Sequence, residues 1–202
     1  MTVIIDYGVG NLFSLEASFS YIGEKAVVSG DPDILRKADR LVLPGVGAFG
    51  DAIGKLRASG LDSVIINEAK TGKNLLGICL GMQLLFSESY EFGTHKGLGI
   101  LNGRVVPIKE HIHGSLKIPH IGWNSIEKTR DSEILKYVNS GEQVYFVHSY
   151  HAIDCEDSLV AVTEYGVNLT AAVESGNVMG CQFHPEKSGR TGLNILKAFI
   201  ER

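Results

Sequence analysis

The sequence predicts an open, three-layer α/β fold, a mostly parallel sheet flanked by helices, with antiparallel strands added in its second half. Three observations carry that prediction. Short β-branched runs alternate with helical patterns up to about residue 97, and β-α-β order builds parallel sheets covered on both faces. After residue 97 the helical periodicity gives way to closely spaced strand patterns. The chain also has 202 residues, 44% hydrophobic and 21% charged, the size and composition of one soluble domain spanning 1–202 with a core of its own.

The elements follow in order. Thr2–Asp6 (TVIID) is an apolar run suited to a buried strand. Asn11–Ile22 places Leu12, Leu15, Phe19 and Ile22 at helical spacing, and Gly23 is a stop signal. Lys25–Ser29 is a second strand, and Asp31–Lys37 a short helix with Pro32 in its first turn. Arg40–Leu43 is a third strand, ended by Pro44. Helices near Ala48–Ala58 and Leu61–Thr71 precede a fourth strand, Asn74–Ile78, which runs into a helix from Leu80 to about Glu88. Later strands are expected at Ile100–Ile108, Ile121–Glu127, Gln143–Val147, Leu159–Thr163, Leu169–Ser175 and Val178–Phe183. Ser175-Gly176-Asn177 marks a hairpin between the last two. A helix from Arg190 to Ile200 follows. No linker, repeat or low-complexity segment interrupts this order.

Composition excludes several functions. Net charge is −4, from 19 basic and 23 acidic residues, with no Lys/Arg run, which argues against a nucleic-acid partner. No apolar stretch approaches the roughly 20 residues of a membrane helix, and the first residues do not read as a signal peptide. Three cysteines cannot make a disulfide framework and suit a reducing, cytoplasmic setting. Glycine is abundant, 24 residues, or about 12% against a usual level of roughly 7%. That surplus suggests tight turns and close backbone approach.

The sharpest local feature is Gly77-Ile78-Cys79-Leu80-Gly81, at a predicted strand-to-helix junction. It is the cysteine form of the G-x-S-x-G nucleophile elbow. A helix N-terminus favours the Cys79 thiolate, and the Leu80 N–H can serve an oxyanion. A lone cysteine here reads equally as a packed thiol. A base is offered by Gln182-Phe183-His184-Pro185-Glu186. Proline biases His184 to extended geometry, in which Glu186, two residues on, shares its side. Nucleophile, base and orienting carboxylate are then complete. Pro44-Gly45-Val46-Gly47 follows the third strand, so it belongs in the same crevice at the carboxyl ends of the parallel strands.

Some signals carry less. Gly8-Val9-Gly10 lacks the third glycine of a dinucleotide fingerprint, since position 13 is Phe13. His111 and His113 lack the Cys or acidic companions of a metal site. Cys155 and Cys181 lie outside any elbow and read as packing, and Ser14 and Ser18 as helix surface.

GICLGMQ and QFHPE together resemble the nucleophile and His/Glu signatures of the class I, triad-type glutamine amidotransferases, whose fold is flavodoxin-like. DYGVGNL at 6–12, PGVGAF at 44–49, PHIGWN at 119–124, YFVHSY at 145–150 and HPEKS at 184–188 look like the branch of glutaminase subunits that serve imidazole glycerol phosphate synthase in histidine biosynthesis. The resemblance covers essentially the whole chain.

It implies catalysis by Cys79, His184 and Glu186, through a thioester, and an oxyanion site from Leu80 and the Gly45, Val46, Gly47 strand. It implies glutamine binding by Gly47, Gln83, Glu91, Ser149 and Tyr150. Gln83 also lies one helical turn beyond Cys79. The implied partner is a (β/α)8-barrel cyclase in a heterodimer that channels ammonia, with Asn11, His120, Trp123, Tyr145 and Lys187 at or near the interface. No metal and no cofactor is implied. The competing readings are a stand-alone cysteine hydrolase of the same fold, glutaminase service to another synthase, and a catalytically idle module.

Overall fold

A computed structural model describes residues 1–112 and 116–202. The first half alternates as expected: β1 (Thr2–Ile5), α1 (Leu12–Tyr21), β2 (Ala26–Ser29), α2 (Pro32–Lys37), β3 (Arg40–Leu43), α3 (Phe49–Ala58), α4 (Leu61–Lys70), β4 (Asn74–Ile78) and α5 (Leu80–Leu84). The second half holds β5 (Glu88–Ser89), β6 (His95–Lys96), β7 (Arg104–Pro107), β8 (His120–Ser125), β9 (Glu127–Lys128), β10 (Gln143–His148), β11 (Tyr150–Ile153), β12 (Leu159–Glu164), β13 (Asn168–Ser175), β14 (Val178–Cys181) and α6 (Gly189–Ile200).

The main sheet runs β2-β1-β3-β4-β14-β13-β12-β9. Its first five strands are parallel and the last three are added antiparallel. This 2-1-3-4-5 order of the parallel strands is the flavodoxin-like one. Strand pleating explains the two cores. Val3, Ile5, Leu41, Leu43 and Leu75 face a cluster with α2, α3 and α4, while Ile4, Val42, Leu76 and Ile78 face α1 and α6. Successive side chains point to opposite faces, so both faces need a helical cover. Burying Phe199 of α6 fully is worth about 1.5–3 kcal/mol.

Several boundaries depart from the sequence expectation. The helix after β4 stops at Leu84, not near Glu88. The loop from 97 to 101 intercepts its carbonyls: Leu98 N–H donates to Leu84 O, and Ile100 and Leu101 N–H donate to Leu85 O. The strand expected over Ile100–Ile108 is confined to Arg104–Pro107, and the one expected to reach Phe183 ends at Cys181. Strand β11 was not expected. The chain changes sheets at Ser149: β10 pairs with β8, whereas β11 pairs with β7. The hairpin at Ser175-Gly176-Asn177 is present, with Ser175 opposite Val178 and Gly176 at φ 57°.

Candidate active site

The site begins with a strained residue. Cys79 has φ 55° and ψ −115°, a region that non-glycine residues occupy at a cost of about 1–3 kcal/mol. Close packing holds it there. The Cys79 N–H donates to Cys181 O at 2.7 Å, across the β4–β14 pair, and Cys79 O accepts from Gln83 N–H at 3.2 Å. A Cβ on Gly77 would lie 2.7 Å from Met82 Cα, and one on Gly81 would lie 1.9 Å from Leu43 O. The elbow glycines thus clear backbone, which a side chain could not displace cheaply.

His184 stands in the loop after β14, its N–H bound to Tyr145 O of β10 at 2.9 Å. Its Nδ1 lies 2.8 Å from Glu186 Oε1, both side chains being almost wholly buried. His184 is extended as expected, at φ −99° and ψ 100°, but the chain does not stay extended as far as Glu186. Pro185 starts a 3₁₀ turn, Pro185–Lys187, closed by Lys187 N–H to His184 O and Ser188 N–H to Pro185 O, which swings the carboxylate under the ring. His184 Nε2 is buried with no hydrogen-bond partner among the described residues. Burial depresses the His184 pKa, but the neighbouring Cys79 sulfur and Glu186 carboxylate prevail and raise it to about 10. A proton leaving Cys79 is therefore held well by this imidazole.

The Gly45–Gly47 loop closes one side. The buried Tyr7 hydroxyl donates to Pro44 O at 2.8 Å, and burial chiefly, with the Cys79 charge, pushes its pKa upward. Gly10 packs on the Pro44 ring, so the segment after β1 braces this loop. A Cβ on Gly45 would lie 2.6 Å from Gly81 N, placing Gly45 against the elbow. Val46, Gly47 and Leu80 line a cavity of about 570 Å³ with Cys79 and His184.

Gln83, Glu91, Ser149 and Tyr150 line the same cavity. Glu91 also has a structural task. Its Oε2 accepts from Phe49 N–H at 2.5 Å, at the start of α3, where Ala48 supplies no side-chain cap. Burial raises the Glu91 pKa, against that bond. Gln83 Nε2 donates to Tyr150 O at 3.2 Å and to Gln182 Oε1 at 2.9 Å.

The remaining site candidates divide. Trp123 is 54% exposed on β8, meets Tyr145 of β10 edge-on with centroids 6.2 Å apart, and Lys187 Nζ sits 5.8 Å from the Tyr145 ring centre. These three form one outward cluster beside the cavity mouth, where Lys187 is also a lining residue. His120 is not exposed with them. It is buried, stacked between Phe146 and Tyr165, because alternation on β8 turns it inward. Asn11 occupies the N-cap position of α1, without a side-chain capping bond.

Sequence reasoning missed His148, Gln182 and Phe92. His148 and Phe92 line the cavity, and Gln182 is fully buried with Nε2 3.8 Å from Cys79 Sγ. The alternation Val144, Phe146, His148 on β10 was a readable sign that His148 faces inward. All three cysteines are free. Burial raises the pKa of Cys155 and of Cys181. Among the described residues no three His, Cys, Asp or Glu side chains gather in a metal-binding group, and His113 lies outside them. Among the described residues no helix is long and apolar enough to cross a membrane.

Residues 3–202 match the glutamine amidotransferase class-I family. The imidazole glycerol phosphate synthase subunit HisH of Lactococcus lactis is 49% identical over 200 residues, covering 98% of this chain and 97% of that protein. The subunit of the same name from Syntrophotalea carbinolica is 50% identical over 203 residues, covering 98% of each. That from Methanothermobacter thermautotrophicus is 49% identical over 201 residues, covering 100% and 98%. Among solved structures, a glutamine amidotransferase superposes with a TM-score of 0.77 at 18% identity, over 99% of this chain and 97% of that one. PurLQS from Thermotoga maritima superposes with a TM-score of 0.75 at 21% identity, over 99% and 97%. The fold, the elbow and this full-length identity converge: the chain belongs to the class-I glutamine amidotransferases and, within them, to the family of imidazole glycerol phosphate synthase HisH subunits.

Proposed function

We propose that this chain is a cytoplasmic glutaminase subunit, acting as one domain over residues 1–202, that hydrolyses glutamine and passes the ammonia to a (β/α)8-barrel cyclase making imidazole glycerol phosphate and AICAR. One observation carries the catalytic part. A cysteine on a strained elbow shares a cavity with a histidine whose Nδ1 is held by a buried carboxylate and whose Nε2 has no partner.

The Cys79 sulfur attacks the side-chain amide carbon of glutamine, and its proton passes to His184 Nε2. The amide oxygen becomes an oxyanion, served by the Leu80 N–H and by backbone of the Gly45–Gly47 strand. One such donor is worth about 3 kcal/mol. Collapse breaks the carbon–nitrogen bond while His184 returns the proton to the leaving nitrogen, which departs as ammonia. Water, deprotonated by His184, then attacks the thioester carbon. The products are glutamate and the Cys79 thiol. Glu186 fixes the ring through its contact with His184 Nδ1. The cavity residues Gln83, Glu91, Ser149, Tyr150 and Gly47 hold the substrate, with Glu91 facing its α-ammonium group.

The cluster of exposed Trp123, half-buried Tyr145 and exposed Lys187, the last a cavity-lining residue, supports a docked partner, with Asn11 and His120 near the contact. A sealed path keeps ammonia unprotonated and therefore nucleophilic. Co-purification tests the partner, followed by assay of the complex for glutamine-dependent imidazole glycerol phosphate formation. Steady glutamine hydrolysis by the isolated chain, indifferent to the cyclase, would instead identify a stand-alone hydrolase. Full ammonia production by a Cys79→Ala complex would overturn the nucleophile assignment.

A further inference from the structure

The reaction above needs a sulfur that survives as an anion between proton transfer and attack. The buried amide of Gln182 lies beside it, and its orientation is not free. Tyr150 O can only accept hydrogen bonds. Gln83 must therefore turn its Nε2 toward that carbonyl, at 3.2 Å. The second N–H of the same Nε2 reaches Gln182 Oε1 at 2.9 Å. With its oxygen so engaged, Gln182 presents Nε2 to Cys79 Sγ at 3.8 Å. Flipping Gln182 alone would set two NH₂ groups face to face. Flipping Gln83 as well would set its oxygen against the Tyr150 carbonyl oxygen.

The carbonyl is itself held from the other side. His148 Nδ1 lies 2.9 Å from Tyr150 O, and His148 Nε2 lies 3.0 Å from His120 Nδ1. Acceptor-only Tyr150 O makes each ring an Nδ1–H donor toward the carbonyl. Asn124 Nδ2 then donates to His120 Nε2 at 3.3 Å. Burial depresses the pKa of His120 to about 4 and, with some opposition from the Tyr150 bond, of His148 to about 3, so both stay neutral in this chain.

We propose that Gln182 is a positioning residue for the reaction: its side-chain amide holds an N–H on the Cys79 sulfur, in an orientation dictated by the Tyr150 carbonyl through Gln83. The proposal rests on the reading of Cys79 as the nucleophile. No bond is made or broken at Gln182. Its N–H steadies the thiolate once the proton has gone to His184, and the link to Gln83 ties that N–H to a residue of the glutamine pocket.

The test is the pH profile of Cys79 alkylation by iodoacetamide in the full chain, from pH 6 to 10, for the unmodified protein, Gln182→Met and Gln182→Glu. The titratable groups around the sulfur are Tyr7 and His184 with Glu186, and, along the same cavity, Glu91, Lys109, His148, Tyr150 and Lys187; all are unchanged in these variants. Loss of a donor to a charged acceptor should slow alkylation at pH 7 about tenfold and raise the profile midpoint by about one unit. Gln182→Glu should shift it further, since a carboxylate then faces the sulfur. Unshifted profiles in both folded variants overturn the proposal alone. An unmodified protein whose Cys79 resists alkylation across the range overturns the catalytic reading as well.

A second measurement needs no variant at Gln182. The sequence has three glutamines, Gln83, Gln143 and Gln182, of which Gln143 is exposed. In protein labelled with ¹⁵N-glutamine, one of the two buried side-chain amides should show a proton moving downfield as Cys79 ionises. That shift should vanish in Cys79→Ala. Buried amides that ignore Cys79 ionisation overturn the proposal.

Discussion

Substituting alanine at Gly81 and at Gly54 should give effects of opposite sign. A Cβ on Gly81 would sit 1.9 Å from Leu43 O and 2.8 Å from Leu43 C. Both are backbone atoms of β3, so the elbow must move by more than 1 Å to make room. Overpacking of this kind costs about 1–3 kcal/mol and more where backbone meets backbone, so Gly81→Ala should lose about 3 kcal/mol. For a domain of this size each kcal/mol shifts Tm by about 2–4 °C, giving a drop of about 6–12 °C. A displacement near 1 Å at Cys79, the proposed nucleophile, should also lower kcat about 100-fold. Gly54 lies within α3 with open space around it. Gly54→Ala should therefore gain about 0.5–1 kcal/mol from helix propensity and leave kcat unchanged. Thermal unfolding by circular dichroism and glutamine hydrolysis in the assembled complex measure both. A Gly81→Ala protein that melts with the unmodified chain and turns over normally would refute the claim that backbone contact shapes the elbow.

Further outcomes follow from the same geometry. Cys79→Ala and Cys79→Gly should both lose at least about 10³-fold in glutaminase rate, yet the glycine form should be the more stable by about 1 kcal/mol, because φ 55° strains alanine and not glycine; paired denaturation curves decide it, and the reverse order would remove strain from the account. The His184 pKa, raised to about 10 in the folded chain above its ordinary 6.5, contributes stability that is full below about pH 6.5 and lost as pH rises through about 10. Glu186→Gln withdraws one source of that shift, so its Tm should fall less steeply over this window, and a steeper fall would contradict the sign. Cys181→Ala should keep glutaminase activity within about twofold, and peptide mapping should find iodoacetamide on Cys79 alone in the folded chain, since burial keeps the Cys181 thiol protonated. Trp123→Ala, half-exposed against Tyr145, should weaken binding of the proposed cyclase partner by at least about tenfold in Kd while moving Tm by no more than about 1 °C; an unchanged Kd would place the partner elsewhere.

Local chemistry determined much of this protein from sequence alone. Alternating apolar runs specified a parallel sheet with two helical faces, because pleating sends Val3 and Ile4 to opposite cores. The spacing of Gly77, Cys79 and Gly81 signalled the elbow, because only glycine clears the neighbouring backbone there. His184 and Glu186 were legible as a pair because two residues cannot separate them far in space.

Tertiary structure decided the rest. Whether α5 ran on to Glu88 depended on a loop twelve residues later that claims its last carbonyls. That Glu186 reaches His184 by a 3₁₀ turn, and not in extended chain, depended on where Ser188 could anchor. His120 is buried although its strand neighbours Ile121 and Trp123 are exposed, because Phe146 and Tyr165 close over it. Gln182 meets Cys79 across 103 positions of sequence. Such pairings are set by which strands become neighbours in the sheet, and β4 and β14 pair there although about 100 residues separate them in sequence.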